Sequence, residues 1–244
     1  MVNQNIFPIQ SKNNINRKQI TESMAGVLKK DYHTNRQSSF HYKYRLNRRT
    51  FEVKNIIEKY LNERKISCLD IGTADGLMLS KLNRFFNFEK VIGIDMSKEL
   101  IETNKDKNIN LQLGNAEELK FEDESFNLII ACAVIEHVDN PSKMLSECRR
   151  VLKKGGILIL TSPNQIYDKL VSLSGYIKDE EHVETMNLKK MKQYLKKNKF
   201  KIIFSKYFMF FPIFKFPFEE SIESFLRRIG LSKIMTNQIA VGKK

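Results

Sequence analysis

The sequence predicts an α/β fold, a mostly parallel sheet with helices on both faces. Three observations carry that prediction. Short apolar runs alternate with amphipathic ones through the middle of the chain. The apolar runs show no polar–apolar alternation, which suits strands covered on both sides. The first of them, ISCLDIG, carries an aspartate, Asp70, near its end and runs into a turn with two glycines four residues apart, Gly72 and Gly76.

Residues 1–20 are polar, Asn-rich and without periodicity. Residues 21–62 read as helical: in RRTFEVKNIIEKYL the apolar positions Phe51, Val53, Ile56, Ile57, Tyr60 and Leu61 recur at near-helical spacing. Together, residues 1–62 form a basic, largely helical N-terminal extension, expected to act as a lid. The main domain is expected over residues 63–244. Its strand ISCLDIG is followed by the helix GLMLSKLNRFF and the strand KVIGID. Ser97 then caps the helix SKELIETNK. INLQLG and FNLIIACAV are strands. Pro141 opens the helix PSKMLSECRRVLKK, Gly155-Gly156 ends it, and ILILTSP is the next strand. Beyond Pro163, NLKKMKQYLKKN is an amphipathic helix with Leu188, Met191 and Leu195 on one face. FKIIFSKYF and QIAVGKK are strands, separated by an aromatic-rich insertion at about 205–232. The stretch FKIIFSKYFMFFPIFKFPF holds eight of the 17 phenylalanines. Pro212 and Pro217 exclude one continuous helix there.

Composition is globular: 41% hydrophobic and 29% charged residues. The net charge of +14 is uneven. Residues 1–65 carry 14 Lys/Arg against 5 Asp/Glu, residues 66–164 carry 12 against 15, and residues 165–244 carry 16 against 8. Basic flanks around a slightly acidic centre suit an anionic partner as well as plain solubility. Cys68, Cys132 and Cys148 are an odd count without a CxxC spacing, read as reduced core thiols. The N-terminus has no continuous apolar core, and no apolar run reaches the ~20 residues that span a bilayer. A cytoplasmic location is expected, with peripheral membrane contact through the aromatic segment as an open alternative to a pocket wall or core.

In an open parallel sheet, ligands bind beyond the carboxyl ends of the strands. Asp70 and its glycine turn sit at such an end. The turn reads D-x-G-x-x-x-G rather than G-x-G-x-x-G, and a carboxylate there repels a pyrophosphate and attracts an ammonium. Asp95 ends the next strand, about 20 residues on, the spacing at which an acid reaches ribose hydroxyls. An amino acid at one end and a ribose at the other describe S-adenosylmethionine.

The segment from 66 to 204 resembles the class I S-adenosylmethionine-dependent methyltransferases, in particular the small-molecule group that includes ubiquinone and menaquinone methylases. LDIGTADG resembles the glycine-rich first motif and IGIDMS the ribose motif. The stretch from GNAEELKF through LTSPN resembles the third to fifth strands, and EHVETMNLKKMKQYLKKNKFKI the approach to the sixth. The resemblance implies a Rossmann-like, seven-stranded sheet whose last strand is antiparallel. It also implies S-adenosyl-L-methionine as cofactor. Asp70, Gly72, Thr73 and Gly76 would then face its methionine part, Asp95 its ribose, Met96 the adenine face, Asn115 and Ala116 the adenine edge, and Ala131 the path to the sulfonium. Ala74 replaces a frequent glycine. Asn115 and Asn127 stand where aspartates are common.

Transfer to an oxygen acceptor also needs a base. His137, in VIEHVDN, is the candidate, with an orienting role as its alternative. His182, Tyr44 and Arg45 are candidates for the acceptor side, beside Arg48. No metal site is expected. The absence of N-P-P-Y, and of an appended RNA-binding module, disfavours nucleic acid. The reading is a methyltransferase acting on a small-molecule or lipid- or glycan-linked acceptor, anionic or neutral, at oxygen. Its rivals are an RNA methyltransferase and a catalytically inactive binding protein of the same fold. A nucleotide-dependent oxidoreductase is a distant third. The oligomeric state is open.

Overall fold

The computed structural model describes residues 38–164, 186–212 and 217–244. Helix α1 (Phe40–Tyr60) precedes a sheet-forming series: β1 (Ser67–Ile71), α2 (Leu77–Phe86), β2 (Lys90–Asp95), α3 (Lys98–Glu102), β3 (Asn110–Leu113), β4 (Phe126–Cys132), α4 (Pro141–Val151) and β5 (Leu152–Pro163). Then come α5 (Leu188–Lys197), β6 (Lys201–Phe208), α6 (Glu219–Arg228), a 3₁₀ turn (Ser232–Ile234) and β7 (Asn237–Lys243). The sheet order is β3-β2-β1-β4-β5-β7-β6. β1 to β5 pair in parallel, and β7 runs antiparallel between β5 and β6. The seven strands, the Rossmann-like layering and the antiparallel last strand are as the sequence predicts.

Two apolar layers sandwich the sheet, which is why its central strands carry no polar face. On one side Val53, Ile56 and Ile57 of α1 and Leu79 and Leu82 of α2 pack against Cys68, Leu128, Ile130, Ile157 and Ile159. On the other, Met144, Leu145, Cys148 and Val151 of α4 and Leu188, Met191 and Leu195 of α5 pack against Leu69, Ile71, Ile129 and Leu158. Local chemistry fixes the helix starts. Asn140 accepts from the Lys143 N–H ahead of Pro141, and Asn187 from the Lys190 N–H. Asn127 sits at a structural position: its Oδ1 accepts from the Ser67 N–H at 2.9 Å and its amide reaches Glu63.

One boundary differs from expectation. α4 ends at Val151, and the Gly155-Gly156 pair lies inside β5 instead of closing the helix. Pairing resumes at once, Leu152 against Phe126, and the register shifts by the time Leu128 meets Ile157. A Cβ at Gly156 would lie 2.8 Å from the Asn127 carbonyl, so the pair permits close backbone approach.

The connection from β6 to β7 is tied down by buried charge. Arg48 of α1 donates to Glu52 at 2.5 Å and to Glu223 of α6 at 2.8 Å, and lies 3.8 Å from Glu219. Lys206 of β6 reaches the other oxygen of Glu52 at 2.6 Å. The Tyr44 hydroxyl donates to Glu219. Glu223 also accepts from the N–H groups of Met209, at 2.7 Å, and Phe210, at 3.2 Å. Arg48, Glu52, Glu219 and Glu223 are all buried.

Removing one partner leaves the others charged and dry. Arg48→Ala is expected to lower the unfolding free energy by about 3–5 kcal/mol in urea titrations. Glu219 gives a pH signature. Burial above all pushes its carboxyl up, against the opposing Tyr44 hydroxyl bond and the Arg48 charge. A carboxyl that holds its proton more tightly when folded adds stability below its unfolded pKa of about 4.3, and loses that contribution as pH rises through the raised value. Glu219→Gln is therefore expected to match wild type in thermal unfolding near pH 4 and to exceed it at pH 8. A variant less stable than wild type at pH 8 would show that the Arg48 attraction dominates.

Candidate active site

The carboxyl edge of the parallel strands gathers most of the residues singled out by sequence. Asp70 and Asp95 end neighbouring strands, offset by two positions in register: Asp70 pairs with Gly93, and Ile71 with Ile94. Between them runs a turn with an unusual backbone. Gly72 (φ +68°), Ala74 (φ +53°) and Gly76 (φ +74°) alternate in the left-handed region. Glycine adopts it freely; alanine at 74 does so at a cost of about 1–2 kcal/mol. Its N–H is held by Asp95 Oδ2 at 2.7 Å, while Asp95 Oδ1 accepts from the Ser97 N–H at 2.8 Å. The turn and the acidic side chain thus orient each other. Ala133, directly after β4, is a second left-handed alanine at this edge (φ +57°). Strain of this kind concentrates at functional sites.

The glycines earn their positions by packing as well as by φ. A Cβ at Gly72 would lie 2.2 Å from Val134 Cγ2, and one at Gly76 would lie 2.7 Å from Ile109 Cδ1. Thr73 is buried under the turn, beside Gly93, and its N–H donates to the Ile94 carbonyl. Gly76 opens α2, with the Ser80 N–H donating to its carbonyl.

Beyond Asp95 two large apolar side chains lie open: Met96 is 51% exposed and Leu113 64%. Leu113 pairs with Asp95 in the β2–β3 register. Asn115 Oδ1 accepts from the Glu117 N–H at 2.8 Å, closing a tight turn, and Ala116 is buried behind it. Ala131 lies wholly within the core, whereas Cys132 and Ala133 reach partial exposure at the edge.

Cys132 marks where the layers converge. Burial pushes its thiol up to about 12; the Asp70 and Glu136 carboxylates add to this, and the neighbouring Thr161 and the Arg49 charge oppose it. Asp70 from β1, Glu136 after β4, Thr161 from β5 and Arg49 from α1 therefore all surround one strand end. Asp70 and Glu136 are buried. His137 is half-buried in the turn after β4, its N–H donating to the Val134 carbonyl at 2.8 Å. Among the described residues no group of three His, Cys, Asp or Glu side chains is placed to hold a metal ion.

The acceptor-side candidates separate. The hydroxyl of Tyr44 goes to Glu219, and Arg48 belongs to the buried ion cluster. Arg45 is buried. His182 lies outside the described residues. Arg49, which the sequence did not single out, reaches the carboxyl edge instead: its Nη2 is 3.3 Å and its Nε 3.4 Å from Asn237 Oδ1, where β7 pairs with the ends of β5 and β6. Helical spacing alone does not say which of three neighbouring arginines turns towards the sheet.

Residues 69–160 match the family model for the methyltransferase domain. The chain carries a methyltransferase domain of the class I fold. It is similar to an uncharacterized protein of Methanocaldococcus jannaschii, 36% identical over 92 residues, which are 38% of this chain and 42% of that one. It is also similar to the mitochondrial ubiquinone biosynthesis O-methyltransferase of Candida albicans, 32% identical over 116 residues, 44% of this chain and 36% of the relative. In fold it resembles a SAM-dependent methyltransferase of Archaeoglobus fulgidus, with a TM-score of 0.58 and 20% identity over 84% of this chain and all of that one. The chain spans less than half the length of these curated relatives.

S-adenosylmethionine is the cofactor of such domains, and the residues of this methyltransferase domain fit it. Asp95 is held with both oxygens fixed by backbone donors, and each carboxylate oxygen keeps a further lone pair for a hydroxyl. Met96 and Leu113 present open apolar surface beside it, as a flat purine requires. Asp70 supplies negative charge at the neighbouring strand end.

Asp95→Ala removes both the carboxylate that fits a ribose and the brace of the Ala74 turn. Calorimetric titration with S-adenosylmethionine is expected to show at least a tenfold weaker Kd, about 1.4 kcal/mol. Cys132 gives a second check. With its thiol near 12, only ~10⁻⁴ of it is thiolate at pH 8. Iodoacetamide should leave Cys132 of the folded protein unmodified over hours at pH 8, and mass spectrometry of the digest reads this directly.

Proposed function

We propose that the chain transfers a methyl group from S-adenosylmethionine to an oxygen of a small-molecule or lipid- or glycan-linked acceptor. The observation that carries this reading is the pair of carboxylates, Asp70 and Asp95, on adjacent strand ends around the left-handed turn, with Met96 and Leu113 open beside them. Bound there, the cofactor supplies a methyl group already activated on a positively charged sulfur.

The protein's task is then positioning, exclusion of water and removal of one proton. Asp95 holds the ribose end and Asp70 the amino acid end. His137, in the turn after β4, receives the proton of the acceptor hydroxyl as the oxygen takes the methyl group. Glu136, buried next to it, adds negative charge that favours the imidazolium so formed. Arg49, beside Asn237 at the end of β7, is the cation best placed to orient an anionic acceptor. His182 remains an acceptor-side candidate. The relative named for ubiquinone biosynthesis supports oxygen as the acceptor atom, since its name describes O-methylation in that protein.

The test is transfer of a tritiated methyl group from S-adenosylmethionine to a panel of simple phenols, prenylated phenols and hexose glycans. Phenol labelling is expected. His137→Ala should lower kcat by about 10²–10⁴ while calorimetric affinity for S-adenosylmethionine stays unchanged. Loss of affinity in that variant would reassign His137 to cofactor binding. A panel left unlabelled by protein that binds the cofactor would overturn the acceptor class.

A further inference from the structure

Helix α6 buries acids and leaves aromatic residues open. Its buried residues are Glu219, Glu223 and Leu226. The adjacent face, about 100° round the helix, carries Ile222, partly buried, and Phe225, 59% exposed. Phe218 lies just before the helix, 82% exposed, and Ile229 just after it. These four apolar positions, 218, 222, 225 and 229, recur at helical spacing and form one stripe. Leu231 and Ile234 extend it along the following turn, both exposed. In a helix that packs on a core, this stripe faces inward.

The orientation of α6 is fixed by chemistry. Glu219 and Glu223 are held inside by Tyr44 and Arg48 of α1, and Glu223 also grips the Met209 and Phe210 N–H groups. With that face anchored, α6 cannot roll its phenylalanines under. Phe218 is a second indication. It occupies the helix N-cap at φ +60°, a conformation disfavoured for any residue with a Cβ, and makes no side-chain capping bond.

We propose that this stripe is a docking surface for an anionic lipid bilayer, with α6 lying flat in the interface and Phe218 and Phe225 in the acyl boundary. Charge selects this occupant. Arg228 and Lys233 are exposed at the stripe against one exposed acid, Glu220, because the other two glutamates are buried and paired. The chain as a whole carries +14. A second copy would bring the same positive charge to the same face and be repelled, whereas an anionic surface attracts it. An amphipathic helix with aromatic residues on one side and cations at the margin binds interfaces through both terms. No helix among the described residues is long and apolar enough to cross a membrane, so the contact is peripheral. The insertion leaves the sheet at the carboxyl end of β6, the edge that carries Asp70 and Asp95. The inference does not rest on methyl transfer, since docking is measured without cofactor.

The chain contains no tryptophan. Phe225→Trp therefore places a single fluorophore on the stripe. Its emission is expected to shift to the blue on mixing with vesicles of phosphatidylcholine and phosphatidylglycerol, and to stay put with phosphatidylcholine alone. In sedimentation with the same vesicles, Phe218→Ser/Phe225→Ser should reduce the bound fraction of full-length protein at least tenfold. Both positions are exposed, so circular dichroism should match wild type. Wild-type protein that does not partition overturns the proposal. Partitioning unaffected by the double variant but abolished by salt overturns the stripe as the contact. Dimerisation in light scattering that the double variant dissolves, without vesicle binding, assigns the stripe to a second copy instead.

Discussion

The architecture around the site depends on one buried guanidinium. Arg48 lies among three glutamates, Glu52, Glu219 and Glu223, and under the rings of Phe51 and Phe208. Among the described residues Arg48 is the one cation within reach of all three carboxylates, and burying its own charge requires acidic partners. The planar guanidinium presents its donors in a fixed fork towards several acceptors, a geometry that the compact ammonium of a lysine does not reproduce. Because Glu52 belongs to α1, Glu219 and Glu223 to α6, and Lys206 to β6, the cluster joins the N-terminal helix, the edge strand and the final insertion into one unit. Glu223 adds backbone definition: by accepting from two consecutive N–H groups it sets the direction in which the chain leaves β6.

The site draws on this unit from one side and on the sheet from the other. β1, β2 and β4 bring Asp70, Asp95 and the Cys132–His137 turn to one edge by parallel pairing alone. The helix α1 that supplies Arg48 to the cluster supplies Arg49 to that edge, one residue later and about 100° round the helix. A single helix thus anchors the cap and contributes a cation to the acceptor side. The left-handed alanines at 74 and 133 mark where the sheet's regularity gives way to the demands of the edge. At Ala74 the strain is offset locally by the bond from its N–H to Asp95.

Much of this was legible in the sequence because it is local. Unbroken apolar runs gave the buried strands, Ser97 announced its helix and now accepts from the Leu100 N–H, and the Asp-Gly turn with a second acid downstream located the carboxyl edge. The Gly155-Gly156 pair was misread as a helix stop because glycine has two uses; strand pairing at Leu152 selected the second. What could not be read is non-local. Tyr44 and Arg45 resembled gripping residues on a solvated helix, yet Tyr44 finds its partner 175 residues away. The aromatic load of the insertion suggested a pocket wall or core, since phenylalanines at helical spacing normally face inward. The partners of Glu219 and Glu223 overturn that expectation, and they lie on α1 and just beyond β6.

The charge distribution follows the same division. The central segment, slightly acidic, provides β1 to β5 and the two carboxylates, Asp70 and Asp95, of the carboxyl edge. The basic flanks provide α1 on one face, α5 on the other, and the β7–β6 edge with α6. Had the positive charge been placed on the central segment, it would oppose a sulfonium and an ammonium at the Asp70–Asp95 edge. Carried on α1 and the C-terminal elements, it is kept on the acceptor and solvent side, where Arg49 and the margin of α6 can use it. Opposite requirements, attraction of a cationic cofactor within and of anionic partners without, are met in one chain by keeping the two signs on different elements. The Arg48 cluster is where those elements meet, and there the signs must be matched residue by residue because no water is present to screen them.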